Sequence, residues 1–362
     1  MSESFKQFGL RAISGEDRSL RGKLARAAAS VIEPFYSTAM VLRNACYDRG
    51  IFATHDLGRP AISIGNITTG GTGKTPVVQW LAGELRSRGR HPAILLRGYG
   101  AGKTGISDEG LLLDRALNHA DQPKIPVQAC PSRVDGAARV LKEHPDVDLF
   151  ILDDAFQHRR AKRDFNLVLI SATNPFGFGH VLPRGLLREP LRGLRRADAF
   201  LVTRRGLAER EQVWEIDRYL NHNHPEIPVC HCDHEHAGLW LPMTNQTVPM
   251  ATIAGERVFL TAGIGDPISF SRQIESTGCT IVGSKWFDDH HAFTKGDVDA
   301  VMVAAQNSGA VRVITTAKDW MKLKDVAPAT GNALMVAVAK LSISFRNLEA
   351  DQLLSRIGSR LH

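Results

Sequence analysis

Short apolar runs alternate with helical patterns along most of this chain. The runs are nearly continuous stretches of aliphatic residues, as expected for strands that are buried on both faces of a parallel sheet. A first series of candidate strands comprises Ala61–Asn66, Ala93–Arg97, Val127–Cys130, Leu149–Asp153, Asn166–Ser171 and Asp198–Thr203. A second series comprises Arg257–Thr261, Thr280–Ser284, Val311–Thr315 and Ala333–Val338. The alternation predicts an α/β fold with a doubly wound, mostly parallel sheet.

A polar stretch that contains several prolines separates the two series. It covers residues 221–255 and includes Pro225, Pro228, Pro242 and Pro249. A chain of 362 residues is long enough for two domains. We therefore expect one domain at residues 1–228 and a second, smaller α/β domain at residues 229–362.

Residues 20–36 predict an amphipathic helix, because Leu20, Leu24, Val31 and Phe35 lie near helical spacing with basic residues elsewhere around it. Pro34 is expected to end or kink this helix. The helix either packs on its domain or lies with its basic residues against anionic lipid. No apolar run reaches the roughly 18 residues of a membrane-spanning helix, and no secretory signal is recognisable. Five cysteines without framework spacing indicate a reducing compartment.

Positive charge is concentrated in one segment. The chain carries a formal charge of +7, and residues 156–205 hold eleven basic against three acidic side chains. Such a field favours an anionic partner: a phosphorylated substrate, an acidic membrane surface or a nucleic acid. If Leu182–Arg196 is helical, Arg184, Arg188, Arg192 and Arg195 share one face and can bind a sugar phosphate or lipid head groups. The alternative is a solvated face of salt bridges.

A glycine-rich loop follows the first candidate strand and precedes an apolar helix. This context predicts a phosphate-binding loop (P-loop), in which backbone N–H groups surround phosphate oxygens and Lys74 neutralises their charge. Thr68 stands where the usual motif begins with glycine. The expected ATP-binding residues are Thr68, Thr69, Gly70, Gly71, Thr72, Gly73, Lys74 and Thr75, and the Thr75 hydroxyl is also an expected Mg²⁺ ligand.

Two aspartates, Asp153 and Asp154, follow the apolar strand Leu149–Leu152. A carboxylate at the carboxyl end of a buried strand beside a P-loop can hold Mg²⁺ or its water. The other interpretation is a surface pair that caps the next helix.

Three further motifs accompany the P-loop. They are Arg97-Gly98-Tyr99-Gly100 with Ser107-Asp108-Glu109, then Asp153-Asp154-Ala155-Phe156-Gln157-His158, and Phe287-Asp288-Asp289-His290-His291-Ala292-Phe293 followed by Thr315-Thr316-Ala317-Lys318-Asp319. In combination the chain resembles the tetraacyldisaccharide 4'-kinase (lipid A 4'-kinase) family, from about Asn44 to Lys322. It departs from the family pattern at Leu96, at Ser107–Gly110 and at Ala155, which affects loop shape more than chemical groups.

The resemblance implies a P-loop kinase-like fold and ATP- and Mg²⁺-dependent phosphorylation in lipid A biosynthesis. The acceptor would be the 4'-hydroxyl of a tetraacyl glucosamine disaccharide 1-phosphate. Asp108 would be the base, with Asp154 as its partner and Asp153 on the metal side, although the division between the two aspartates stays open. Two close carboxylates are expected to raise one pKa. The implied substrate-binding residues are Gln157, His158 and Arg188, and His290 would close on the site from the second domain.

The resemblance also implies where the protein works. Its partners would be the lipid substrate and the anionic inner leaflet, which it would meet as a peripheral protein on the cytoplasmic face of the bacterial inner membrane. The domain at residues 1–228 would bind nucleotide and lipid and carry the membrane-facing helix. No obligate protein partner is evident. Acyl-chain preference and oligomeric state stay open.

Two other classes of protein compete with this interpretation. One is a P-loop NTPase switch or metallochaperone, for which Cys230, Cys232, His234 and His236 would supply ligands from one face of a strand. Thr69 stands where such proteins often carry a second lysine, and no Asn-Lys-x-Asp motif is present. The other is a nucleic-acid-binding ATPase, but no RNA-binding aromatic signature accompanies the basic segment. We therefore expect no nucleic-acid partner.

Overall fold

The computed structural model describes residues 5–98, 108–118, 122–264, 267–288, 291–324 and 335–361, without the side chains of residues 5–7, 108 and 109. The chain forms two compact units. The first consists of Met1–Tyr99, Ala120–Asp233 and Phe345–His362, and the second of Gly100–His119 and His234–Ser344. The expected boundary at residue 228 thus lies close to the division after Asp233. Each unit also contains a segment from the other side of that boundary.

Helices and strands alternate along the chain as the apolar pattern predicts. The elements are α1 (Phe5–Ser14), α2 (Leu20–Asp48), β1 (Ala61–Asn66), α3 (Lys74–Ser87), β2 (Pro92–Leu96), α4 (Asp108–Leu117), β3 (Val127–Ala129), α5 (Arg133–Glu143), β4 (Leu149–Asp153), β5 (Phe165–Ser171), β6 (Ala199–Thr203), α6 (Arg210–Asn223), β7 (Val229–Leu241), β8 (Gln246–Val248), β9 (Arg257–Ala262), α7 (Pro267–Glu275), β10 (Thr280–Trp286), α8 (Lys295–Asn307), β11 (Arg312–Thr316), α9 (Ala317–Leu323), β12 (Met335–Phe345) and α10 (Glu349–Gly358).

The sheet of the first unit has the order β7-β6-β5-β1-β4-β2-β3, and its strands are parallel. Every residue of β1, β2, β4 and β6 is buried, so these strands are covered on both faces. Side chains of β2 and β4 pack with α5 in one apolar cluster, and those of β5 and β6 pack with α6 in another. The strand register puts both clusters on one face of the sheet. Helix α3, which packs on β1, β2 and β4, connects β1 to β2 in the opposite direction along the sheet, so the arrangement is the expected doubly wound α/β one.

The sheet of the second unit is built around parallel strands in the order β10-β9-β11-β12. β12 neighbours β7, whose last residues pair with β8 in antiparallel fashion. One apolar cluster joins β9 to α7, and another joins β9 and β11 to α8. β7 contains the linker strand expected at the Cys/His tract, and its 13 residues extend that strand to Leu241.

Helix α2 does not end at Pro34, so that part of the expectation is wrong. The helix begins after Ser19, whose side chain accepts a hydrogen bond from the Gly22 N–H, and it runs on to Asp48. Ser30 and Pro34 lie on its exposed side, where water can bind the carbonyl that a proline leaves without its usual donor. Contacts that Glu33 and Tyr36 make with distant segments hold the helix on both sides of the proline.

The segment Leu182–Arg196 is not an α-helix, which corrects the expectation that its arginines share a face. It consists of turns followed by a 3₁₀ segment at Leu191–Arg196. Its residues 186–188 instead pair with the start of the P-loop, since the Thr69 N–H donates to the Leu186 carbonyl and the Arg188 N–H donates to the Ile67 carbonyl. The arginines therefore point to separate partners.

No helix in the described ranges is long and apolar enough to cross a membrane.

Candidate active site

The P-loop connects β1 to α3 and is fixed to the rest of its unit at two points. Gly70 and Gly73 have φ angles of 125° and 79°, which side chains other than glycine rarely allow. At the start of the loop, the Thr69 N–H donates to the Leu186 carbonyl over 2.7 Å. At its other end, the Thr203 hydroxyl of β6 donates to the Thr72 carbonyl over 3.0 Å. The loop is therefore held open for an anion at the first turn of α3.

Asp154 forms ion pairs with two cations beside this loop. Its carboxylate lies 3.4 Å from the Lys74 Nζ and accepts hydrogen bonds of 2.9 and 3.0 Å from Nη1 of Arg188. Burial disfavours the charge of Asp154, but Lys74 and Arg188 outweigh it and hold its pKa below the usual value. Asp154 is therefore not a carboxylate with a raised pKa, and it is ionised at neutral pH. The expected rise in the pKa of its partner stays a prediction.

The backbone places both aspartates at the edge of the sheet beside β1. Asp153 is the last residue of β4 and lies opposite Ile64 of β1, and Asp154 follows with a φ angle of 49°. Phe156 crosses directly over Gly65, where a Cβ atom would lie 2.6 Å from the Phe156 Cβ. Glycine at position 65 therefore lets the loop after β4 approach the strand that leads into the P-loop.

Arg133 binds the backbone of Asp153, a role that sequence reasoning missed. Its guanidinium is almost fully buried and donates to the Asp153 carbonyl over 2.8 Å and to the Cys130 carbonyl over 3.1 Å. It thus holds together the chain segments that follow β4 and β3. The sequence offered little signal, because an arginine in the first turn of an amphipathic helix is usually solvated.

Thr75 and Asp153 have the chemistry that Mg²⁺ prefers, a hydroxyl and a carboxylate oxygen. Thr75 lies in the first turn of α3, and Asp153 ends the strand next to β1. Mg²⁺ is commonly bound by one or two protein oxygens together with phosphates and water. The two residues therefore fit an ion that is carried in with a nucleotide.

Gln157 is held by the protein on both sides of its amide group. Its Nε2 donates to the Asn66 carbonyl over 3.0 Å and to Glu189 over 3.1 Å, and its Oε1 lies 3.4 Å from Nη1 of Arg188. Gln157 therefore ties the end of β1 to the Arg188 segment. Any contact with a substrate would be in addition to these bonds.

His158 is neutral at physiological pH. Burial and the positive charges of nearby arginines, with Arg133 and Arg163 first among them, lower the pKa of His158 to about 4. Its Nε2 is buried and has no hydrogen-bond partner among the described residues. A neutral imidazole with a free nitrogen can donate or accept one hydrogen bond, which is compatible with the expected role in substrate binding.

Glu189 is a second residue that sequence reasoning missed. It is fully buried, accepts 2.7 and 2.9 Å bonds from Arg196, and also accepts from Asn44 over 2.7 Å. Burial would raise the pKa of Glu189, but the hydrogen bonds and charge of Arg196 hold it below the usual value. The available signal was that Glu189 is the one glutamate in a basic segment, where an acidic side chain is well placed to form an ion pair with an arginine.

The remaining predicted site residues belong to the second unit. Asp108 is the first residue of α4, but its side chain lies outside the described part of the structure, and so does the whole of His290. The structure brings together the P-loop residues, Asp153, Asp154, Gln157 and Arg188 in the first unit, and it leaves the predicted roles of Asp108 and His290 as predictions.

The Cys/His tract forms a buried strand face. Cys230, Cys232 and His234 are buried along one side of β7, as the alternation predicts. Burial, aided by nearby acidic residues, raises the pKa of Cys230 to about 11 and that of Cys232 to about 12, so both are thiols at neutral pH. Across the described ranges, no group of three or more His, Cys, Asp or Glu side chains is placed to hold a metal ion.

A cavity of about 610 Å³ lies at the carboxyl end of β6 in the first unit. Arg204, which follows β6 with a φ angle of 59°, brings its guanidinium to 3.6 Å from the position of a Cβ on Gly71. The cavity itself is lined by Arg205, Gly206, Ala208, Arg210, Val213 and Arg346.

Sheet order, P-loop and strand-end carboxylates together define a P-loop kinase-like α/β protein. A family model described as tetraacyldisaccharide-1-P 4'-kinase matches residues 26–360, which is nearly the whole chain. The chain belongs to the tetraacyldisaccharide 4'-kinase family. The resemblance read from the motifs is confirmed.

Individual relatives agree with this assignment. The tetraacyldisaccharide 4'-kinase of Anaeromyxobacter dehalogenans strain 2CP-C is 36% identical over 340 residues, covering 91% of this chain and 90% of the relative. That of Geobacter metallireducens is 36% identical over 332 residues, covering 89% of this chain and 95% of the relative. The crystal structure of LpxK from Aquifex aeolicus in complex with ATP matches with a TM-score of 0.69 and 25% identity, covering 93% of this chain and 99% of that one.

We predict that Gly65→Ala weakens both the fold and the site. The new methyl group would lie 2.6 Å from the Phe156 Cβ and 2.7 Å from its backbone nitrogen, so the loop that carries Asp154 must move. Overpacking of this kind costs about 1–3 kcal/mol in the free energy of unfolding. Denaturant unfolding monitored by circular dichroism, together with a kinase assay, would measure the two effects.

The matched control is Gly83→Ala in α3, where a Cβ atom meets nothing within 4 Å. Alanine in a helix interior should stabilise the protein by about 0.5–1 kcal/mol without loss of activity. A Gly65→Ala variant with wild-type stability and activity would contradict the close approach of Phe156.

Proposed function

We propose that this protein transfers the γ-phosphoryl group of ATP, with Mg²⁺, to the 4'-hydroxyl of a tetraacyl glucosamine disaccharide 1-phosphate. The observation that carries the proposal is the cluster of Lys74, Arg188 and ionised Asp154 at the mouth of the P-loop. Family membership supports the acceptor, because the relatives are named for this reaction.

The first unit has the parts that are needed to bind ATP. The N–H groups of the P-loop and the first turn of α3 can surround the phosphates, and Lys74 can leave Asp154 to neutralise them. Thr75 and Asp153 would hold Mg²⁺, which would offset the charge of the phosphates.

Phosphoryl transfer needs positioning, neutralisation of charge and one group that accepts the hydroxyl proton. We assign proton acceptance to Asp108 on the strength of the family motif, with His290 as a residue that closes on the site. The ion pairs of Asp154 favour a different task for that residue, which is to hold Lys74 and Arg188 where negative charge develops. Its pKa, lowered by these two cations, keeps it ionised while it pairs with them.

The acceptor is a lipid, and α2 has a surface that suits a bilayer. Its exposed large apolar residues are Leu20, Leu24, Val31, Ile32, Phe35 and Leu42, which are between 53% and 74% exposed. At 100° per residue all of them except Ile32 fall within about 60° of one another, so these five form an apolar stripe with Ile32 beside it. Arg21 and Lys23 lie exposed beside the stripe and can meet anionic head groups. We propose that α2 docks on the inner leaflet from the cytoplasmic side, as a peripheral attachment.

Lys74→Ala should nearly abolish phosphorylation of the disaccharide lipid, because it removes the charge that supports the transferring group. The assay follows radiolabelled phosphate from ATP to tetraacyldisaccharide 1-phosphate in detergent micelles. Lys142→Ala, on the exposed side of α5, is the matched control and should keep wild-type activity. A Lys74→Ala enzyme within about threefold of wild type would rule out the assignment of the P-loop.

Asp108→Ala should lower kcat strongly and leave the KM for ATP nearly unchanged, since a base acts on the acceptor hydroxyl. Steady-state kinetics with each substrate varied in turn would separate the two constants. If the KM for ATP rises while kcat is retained, Asp108 is a nucleotide ligand and another group accepts the proton.

Phe35→Glu and Leu24→Glu should reduce binding to vesicles at least tenfold, because each places a charge where an apolar side chain would enter the membrane. Co-sedimentation with anionic and neutral vesicles at low and high salt is the measurement. Wild-type binding to anionic vesicles should weaken with salt but persist. Trp214→Glu, an exposed apolar residue on α6, is the control and should bind as wild type does. Equal binding by the α2 variants would exclude this surface.

A further inference from the structure

The side of α2 opposite its apolar stripe is bound to the active site by hydrogen bonds. The Tyr36 hydroxyl donates to the Arg188 carbonyl over 2.8 Å, and the Asn44 amide donates to Glu189 over 2.7 Å. Arg43, which directly precedes Asn44 on α2, donates to the Gln157 carbonyl over 2.8 Å. The helix therefore contacts both segments that meet at Asp154.

The backbone of Arg188 is held from two sides. Its N–H donates to the Ile67 carbonyl at the entrance to the P-loop, and its carbonyl accepts from Tyr36. These two bonds fix the backbone position from which the Arg188 side chain extends to Asp154. Without the Tyr36 hydroxyl, the backbone of Arg188 would keep, among the described residues, only its hydrogen bond to the Ile67 carbonyl.

Glu189, the next residue, is held in a similar way. Arg196 binds both of its carboxylate oxygens, Gln157 donates to Oε1, and Asn44 donates to Oε2. A fully buried carboxylate that loses a donor must shift toward its remaining partners. A shift of Glu189 would carry Arg188 with it through the peptide bond.

We infer that Tyr36 and Asn44 are positioning residues for phosphoryl transfer, which act by fixing Arg188 against Asp154. This inference rests on the proposed function. Among the described residues neither side chain forms a hydrogen bond to the P-loop, so their effect should fall on the rate of transfer rather than on the affinity for ATP. Phosphoryl transfer depends on placing charge to within a fraction of an ångström, so even a small displacement of Arg188 should slow it.

Tyr36→Phe is the decisive variant, since it removes one hydroxyl and keeps the ring. We expect kcat to fall about five- to fiftyfold with the KM for ATP within twofold of wild type. Asn44→Ala should show the same division between the two constants. The control is Tyr219→Phe, because Tyr219 packs against the same apolar cluster as Tyr36 but has no hydrogen bond from its hydroxyl in the described structure. It should retain wild-type kinetics.

Three measurements on the same proteins separate a positioning role from a role in stability or in membrane binding. They are kinase assays in detergent micelles, melting curves and vesicle co-sedimentation. We expect wild-type vesicle binding and a melting temperature near that of wild type for Tyr36→Phe. In an Arg188→Ala background, Tyr36→Phe should have little further effect on kcat, because the residue through which it acts is gone.

An unchanged kcat in Tyr36→Phe would overturn the inference, as would a parallel rise in the KM for ATP or a full effect in the Arg188→Ala background. A loss of kcat that follows a lower melting temperature or weaker vesicle binding would overturn it too. If Asn44→Ala does not fold, Tyr36→Phe decides alone. Failure of the wild-type protein to phosphorylate the lipid would contradict the proposed function instead, which keeps the two failures apart.

Discussion

The ion pairs of Asp154 are the interaction on which the site depends. Three chain segments that are distant in sequence meet there: the P-loop through Lys74, the end of β4 through Asp154 itself, and the segment after β5 through Arg188. Each charge is only partly exposed, so the attraction is screened less than at a free surface. A single negative charge between two positive ones leaves these three groups with a net positive charge, which favours the phosphates of a nucleotide.

The Arg188 segment explains why the basic stretch is not a helix. Residues 186–188 use their backbone groups to pair with the P-loop entrance, and a helix would need those same groups for itself. The arginines consequently serve different ends. Arg188 binds Asp154, Arg196 neutralises Glu189, and Arg184 donates to the carbonyl of Ile13 near the end of α1. Part of the positive charge of this segment therefore binds partners within the protein and is not available to an anionic ligand.

Helix α2 combines two surfaces that the sequence did not separate. Its apolar stripe is exposed, whereas Tyr36, Arg43 and Asn44 contact the loops around the active site. Packing on the domain and facing lipid are therefore not alternatives for this helix. The structure shows a helix that packs with one side and leaves an apolar side available. An attachment to a membrane through that stripe would keep the catalytic segments near the lipid, on the far side of one helix.

The sequence by itself determined the class of fold, the P-loop, the two aspartates and the family. These features are encoded locally: apolar strands in β1 and β4, glycines before Lys74, and carboxylates directly after a strand. Most of the expected strands appear within a residue or two of their predicted ends. Tertiary structure alone decided the course of residues 182–196, the continuation of α2 past Pro34, and the roles of Arg133 and Glu189. The physical reason is separation along the chain. Tyr36 lies 152 residues from Arg188, and Asn44 lies 145 residues from Glu189, so no local pattern records that they meet.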